Sequence, residues 1–191
     1  NFIQHLLNSH YTYFLILAVS LAGPLALKKK KKVAFYKKWK YLFPAMILPA
    51  LFYIFWDNWF TSMGVWSFNP YYITGIKISN LPVEEVLFFF VVPYCCVFIY
   101  ECILCYFPAI QSRPVADYFL KILSLILLVT GFVFYQYSYT AYTFMLFAIF
   151  IALFYLFRKY FTGFKTSYFL ISYAVILLPF LGVNGWLPAL P

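Results

Sequence analysis

Carboxylates are the scarcest chemistry in this chain. Among 191 residues there are five acids: Asp57, Glu84, Glu85, Glu101 and Asp117. With only two aspartates, far apart, no cluster exists to hold a magnesium diphosphate, as a prenyl-transfer enzyme needs. Histidine is almost as rare: His5 and His10 lie far from the four cysteines Cys95, Cys96, Cys102 and Cys105. A zinc site takes more ligands than those thiols offer, so they read as small apolar residues and no metal is expected. The seven glycines form no dinucleotide fingerprint, so no cofactor is expected either. No lysine falls mid-span, which excludes a retinal-type Schiff base. No basic flank precedes the first apolar run, which argues against a cleavable signal peptide.

What is present is apolar surface. The chain is 65% hydrophobic and 10% charged, with a mean hydropathy of +0.86. Soluble domains run to roughly 25% charged, so the expected class is an all-α, multi-pass membrane bundle. Six apolar runs are spaced as helices: Tyr11–Leu27, Tyr41–Trp59, Pro82–Phe107, Tyr118–Tyr135, Ala141–Phe157 and Ser167–Trp186. Only helices or closed barrels satisfy their backbone in lipid, and no barrel-type alternation is seen. Pro24, Pro44, Pro49, Pro93 and Pro179 fall inside these runs and predict kinks.

The net charge of +9 sits between the spans, so it does not indicate nucleic acid. Lys28 to Lys32, Lys37, Lys38, Lys40, Arg113, Lys121, Arg158, Lys159 and Lys165 fall on one side; Lys77 alone falls on the other. That asymmetry predicts a cell-membrane protein with cytoplasmic lysine-rich loops and its N-terminus on the opposite side. The five-lysine run reads as an anchor on anionic lipid.

An internal repeat is visible. "YLFPAMILPALFYIFWDNW" from Tyr41 aligns without gaps on "YFLISYAVILLPFLGVNGW" from Tyr168, pairing Asp57 with Asn184 and Trp59 with Trp186. Both stretches cross the membrane in the same direction. The expected architecture is two parallel three-helix repeats joined by a linking helix, with seven helices in the complete protein. On that reading residues 1–107 are the first repeat, 108–136 the link and 137–191 an incomplete second repeat. Its last helix would lie beyond Pro191 or in a second chain.

Topology puts the end of the second helix, with Asp57, on the same side as the start of the third, with Glu84 and Glu85. Glu101 is ~24 Å further along that helix and reads as a snorkelling or salt-bridged residue. Asp117 reads as solvated. Asn80 as a cap, Pro82 in the first turn and one acid would suffice to start a helix, yet two acids stand together. Burial and a like-charged neighbour disfavour two charges, while the helix dipole favours charge. The balance can leave one acid protonated beside one carboxylate, as proton donor and acceptor chemistry requires. Trp56, Trp59 and Trp66 could be an interfacial belt, or could wall a cavity and stabilise a carbocation. Phe88 and Phe89 extend that apolar wall, and Asn58, Asn69 and Asn184 are candidate polar contacts.

The stretches "KKWKYLFPA", "FWDNWFTSMGVWSFNPYYITGIKISNLPVEEVLFFFVVPY" and "FIYECI" resemble the membrane-integral, cofactor-free lycopene cyclases of the heterodimeric or fused two-domain type. The resemblance implies a lycopene β-cyclase, an isomerase of carotenoid biosynthesis that closes the linear ends of lycopene to β-rings. It implies Glu84 and Glu85 as acid and base, Asp57 as a supporting acid, and Trp56, Trp59 and Trp66 as cavity walls. The partners expected are a carotenoid substrate, the lipid bilayer, and a homo- or hetero-oligomer or neighbouring carotenoid enzymes. The competing expectation is a non-catalytic carotenoid-binding or assembly subunit whose acids only start a helix. A proton-coupled transporter is a further class, supported by the acids alone.

Overall fold

The structure is a computed structural model, and it describes residues 11–27, 33–65, 67–110 and 114–186. The lysine run 28–32, Trp66 and Arg113 lie outside the described residues. So do the side chains of residues 71, 138 and 182–186, among them Asn184. Among the described residues there are six α-helices: α1 Thr12–Leu27, α2 Trp39–Ser62, α3 Val83–Tyr106, α4 Pro114–Val133, α5 Ser138–Leu156 and α6 Thr166–Trp186. The segments Phe35–Ser62, Val83–Tyr106, Pro114–Val133 and Tyr139–Leu156 are long and apolar enough to cross a membrane; Thr12–Leu27 and Thr166–Leu181 are shorter apolar helices. The protein is an all-α membrane bundle.

The chain divides into two compact units, Asn1–Tyr106 and Phe107–Pro191. In the first, α3 packs against both α1 and α2. The buried positions of α2 are Leu42, Met46, Ala50, Asp57 and Phe60. Steps of four, four, seven and three residues keep them on one stripe of a 3.6-residue helix. Asp57 therefore shares the protein-facing stripe, and Leu48 and Leu51, off it, are exposed. At the far end of α3 from its two glutamates, Phe35 of a short 3-10 turn (Phe35–Lys38) is fully buried. It meets Tyr94 and Phe98 edge-on at 5.3 Å each. Beside this cluster Lys38 Nζ pairs with Glu101 at 2.5 Å, as expected for an acid at the membrane surface.

One element was not foreseen. Ahead of α3 a two-stranded antiparallel ribbon pairs β1 (Lys77–Ile78) with β2 (Leu81–Pro82), in register Lys77 with Pro82 and Ile78 with Leu81. Ser79 takes φ 58°, the left-handed backbone that a two-residue hairpin turn demands at its first position. This overturns two local expectations. Asn80 is the second residue of the hairpin turn rather than a helix cap, and Pro82 ends the ribbon rather than opening the helix. Leu81 is buried, and Pro82 is among the most fully buried residues, so the ribbon is seated on the bundle where α3 begins.

The second unit holds an α4–α5 hairpin with α6 against α4. Gly131 permits a close crossing: an added Cβ would stand 2.9 Å from Met145 Cγ and 3.3 Å from the Ala141 carbonyl oxygen. Ser124 Oγ donates to the Ala148 carbonyl at 3.0 Å. Small residues and hydroxyl bonds of this kind hold helices together where lipid removes the hydrophobic driving force. Asp117 corrects another expectation. Its Oδ1 accepts from Thr166 Oγ1 at 2.7 Å and from Tyr155 at 2.9 Å, with Arg158 Nη2 at 3.8 Å. It ties the starts of α4 and α6 to the end of α5 rather than standing in solvent.

Candidate functional site

Among the described residues of the first unit, α1, α2 and α3 each bring a polar side chain to the acids at the ribbon end. Glu84 is the second residue of α3 and is 0% exposed. Its Oε1 accepts a hydrogen bond from the Thr74 backbone N–H at 2.8 Å. Its Oε2 is buried, with no hydrogen-bond partner among the described residues. Such an oxygen is costly to desolvate and is a marker of a working group. Glu85, the next residue, points about 100° around the helix. Its Oε2 accepts from the Tyr13 hydroxyl at 2.6 Å. Asp57 is 6% exposed and acts electrostatically on both Glu85 and Tyr13. Among the described residues neither Glu84 nor Glu85 has an ion-pair partner.

Tyr13 and Thr74 were missed by sequence reasoning. Thr74 could not have been found, because its role is a backbone N–H in an irregular loop. Tyr13 left a trace. The first helix of a multi-pass chain begins on the side where the second ends and the third begins, so a polar residue in its first turn belongs at this site.

The aromatic residues singled out in the sequence cluster mainly on α2. Trp56 lies 4.9 Å from Phe60, is roughly stacked on Phe52 at 6.2 Å, and meets Trp59 edge-on at 6.4 Å. Phe89 of α3 stacks on Tyr53 at 6.0 Å and 9°, and Phe88 meets Phe89 edge-on at 5.6 Å. Trp59 is 44% exposed and stands at the outer edge of this cluster. Two of the candidate asparagines are hydrogen-bonded, and the Asn184 side chain lies outside the described residues. Asn58 Oδ1 accepts the Asn80 N–H at 3.3 Å, fastening the hairpin turn to α2. Asn69 is exposed, and its carbonyl starts the 3-10 turn by accepting the Tyr72 N–H at 3.2 Å. The four cysteines are free thiols in α3, and Cys95 Sγ donates to the Ser20 carbonyl at 3.5 Å.

A cavity of about 730 Å³ lies in the second unit, lined by Ala109, Ile110, Phe119, Ser167, Leu170 and Ile171 among others. Its lining carries no acid or base.

No curated protein matches the chain, and no solved structure does. The family model described as lycopene cyclase matches residues 10–103 and 136–191. The first matched stretch includes Tyr13, Asp57, Thr74, Glu84 and Glu85, and the two together cover most of the chain: it belongs to the lycopene cyclase family.

Proposed function

We propose that the chain is an acid–base cyclase that converts the linear ends of lycopene to β-rings, with Glu84 and Glu85 as its proton donor and acceptor. The reaction balances without an oxidant or a metal. A carboxyl O–H protonates the terminal double bond of the polyene, leaving a carboxylate and a tertiary carbocation. The π electrons of a neighbouring double bond close a six-membered ring and move the cation onto a ring carbon. A carboxylate then removes a proton from a carbon attached to that cation and restores a double bond. The product is an isomer of the substrate, and the protons gained and lost cancel over the cycle. Two monocyclic closures, one at each end, give β-carotene.

The observation that carries this reading is the buried pair itself. One acid is held by a backbone amide, the other by a phenol, and neither is neutralised by a cation among the described residues. Asp57 supports the pair electrostatically. Trp56, Phe52, Phe60 and Phe89 supply ring faces that stabilise a desolvated cation by up to about 2 kcal/mol. The two matched stretches flank the whole of α4, which supports a pair of three-helix repeats joined by a linking helix. The basic residues Lys38, Lys40, Arg158, Lys159 and Lys165 favour a cytoplasmic face opposite Lys77 and the acids.

The test is expression of the natural gene in lycopene-accumulating bacterial cells, with pigments separated by chromatography. Wild type converts lycopene to cyclic carotenoid. Glu84→Gln and Glu85→Gln each cut that conversion by about 10²–10⁴-fold at equal membrane expression. Cyclisation surviving both substitutions removes the acids from the mechanism. Lycopene that co-purifies uncyclised with folded wild type favours the carotenoid-binding subunit.

A further inference from the structure

Tyr13 brings a hydroxyl from α1 to the acid pair on α3. Helix α1 already packs onto α3, with Leu17 buried and Cys95 Sγ donating to the Ser20 carbonyl. Tyr13 lies one turn before Leu17 on the same stripe. Its hydroxyl reaches across to Glu85 Oε2 at 2.6 Å, 72 positions away in sequence. A hydroxyl donating to a carboxylate makes a stronger bond when the carboxylate is ionised. An ionised carboxylate is acceptor-only, so the phenol takes one oxygen and leaves Oε1 for the substrate. Glu84 is held differently, by the fixed Thr74 amide, and keeps a buried oxygen without a partner among the described residues.

We propose that Tyr13 is a positioning residue that fixes Glu85 in one orientation as the base of the cyclisation, with Glu84 left as the proton donor. The inference rests on the cyclase reading and adds to it a division of labour between the acids. It has a chemical consequence. After ring closure the cationic carbon carries three carbon substituents, each able to lose a proton. Which one does so is set by where the base stands, and each choice puts the new double bond in a different place. A base held by one hydrogen bond gives one ring type. A base released from that bond samples more than one proton.

The test compares wild type with Tyr13→Phe in lycopene-accumulating cells, measuring the initial rate and the ring type of every cyclic product against chromatographic standards, at equal membrane content. Tyr13→Phe is expected to slow cyclisation on the order of tenfold, as small misplacements of a catalytic group do. It is also expected to yield a second ring isomer that wild type does not make. Wild-type rate and ring type in Tyr13→Phe overturn the proposal. A slower enzyme with a single unchanged ring type overturns it as well, because Glu85 has then kept its place without the phenol. So does a Tyr13→Phe protein that fails to accumulate, since the hydroxyl would then serve folding. A wild type that closes no ring counts against the cyclase reading itself, and it is recognised before any substitution is made.

Discussion

Two carboxylate clusters in this chain are built on opposite principles. Asp117, in the second unit, receives hydroxyls from Thr166 and Tyr155 and has Arg158 at 3.8 Å, with Lys121 also nearby, its ammonium 5.0 Å from the centre of the Tyr155 ring. Its charge is answered several times over, and it joins three helices. Glu84 and Glu85, in the first unit, receive one amide and one phenol, and no cation pairs with either among the described residues. A carboxylate saturated by donors is committed to one charge state. A carboxyl with a single donor can give or take a proton. On the proposed reading the difference separates an acid that holds a fold from an acid that does chemistry, and the Lys38–Glu101 pair belongs with the former.

The sharpest way to break that contrast is to remove charge from each cluster in turn. Glu84→Gln and Glu85→Gln should each cut cyclisation by about 10²–10⁴-fold, the usual worth of a positioned acid or base, with thermal stability in detergent little changed. Asp117→Ala should show the reverse. Thr166, almost fully buried, and Tyr155 lose their acceptor at a cost of about 1–3 kcal/mol, read as a lower midpoint in detergent unfolding, while turnover per folded molecule holds. Gly131→Val should destabilise the α4–α5 hairpin by about 1–3 kcal/mol through overpacking against Met145 and the Ala141 carbonyl, in the same assay. Glu101→Gln should be the mildest. Its lysine partner is half exposed, so its loss should cost under about 1 kcal/mol and leave pigment conversion near wild type. An Asp117→Ala protein that folds normally and no longer cyclises would merge the two clusters into one function.

The helices were legible because lipid leaves the backbone few options, and each apolar run had to close its own hydrogen bonds. Their ends were less so. Helix α2 runs past Tyr41 and Trp59 at both ends, and α4 begins at Pro114 rather than Tyr118. Terminal turns carry polar residues that a hydropathy reading discards. The ribbon at Lys77–Pro82 was invisible because a two-residue strand has too few side chains to show a period. Asp57 beside Glu84 and Glu85 could be read from topology alone, since alternate crossings bring those ends together. Asp117 was misread as solvated because its partners, Thr166 and Tyr155, lie 49 and 38 positions away. The repeat pairs Tyr41 with Tyr168, yet Tyr41 is 70% exposed whereas Tyr168 is fully buried and donates to the Phe107 carbonyl at 3.0 Å. Matching letters kept the span and lost the environment.

The amide of Thr74 is also a gauge. It sits in a loop, belongs to no helix or strand, and donates to Glu84 Oε1. A neutral carboxyl is a weaker acceptor than a carboxylate, so the strength of that one bond follows the charge on the acid. The nitrogen resonance of Thr74 and the exchange rate of its proton should therefore record the protonation of Glu84 without altering any atom of the site.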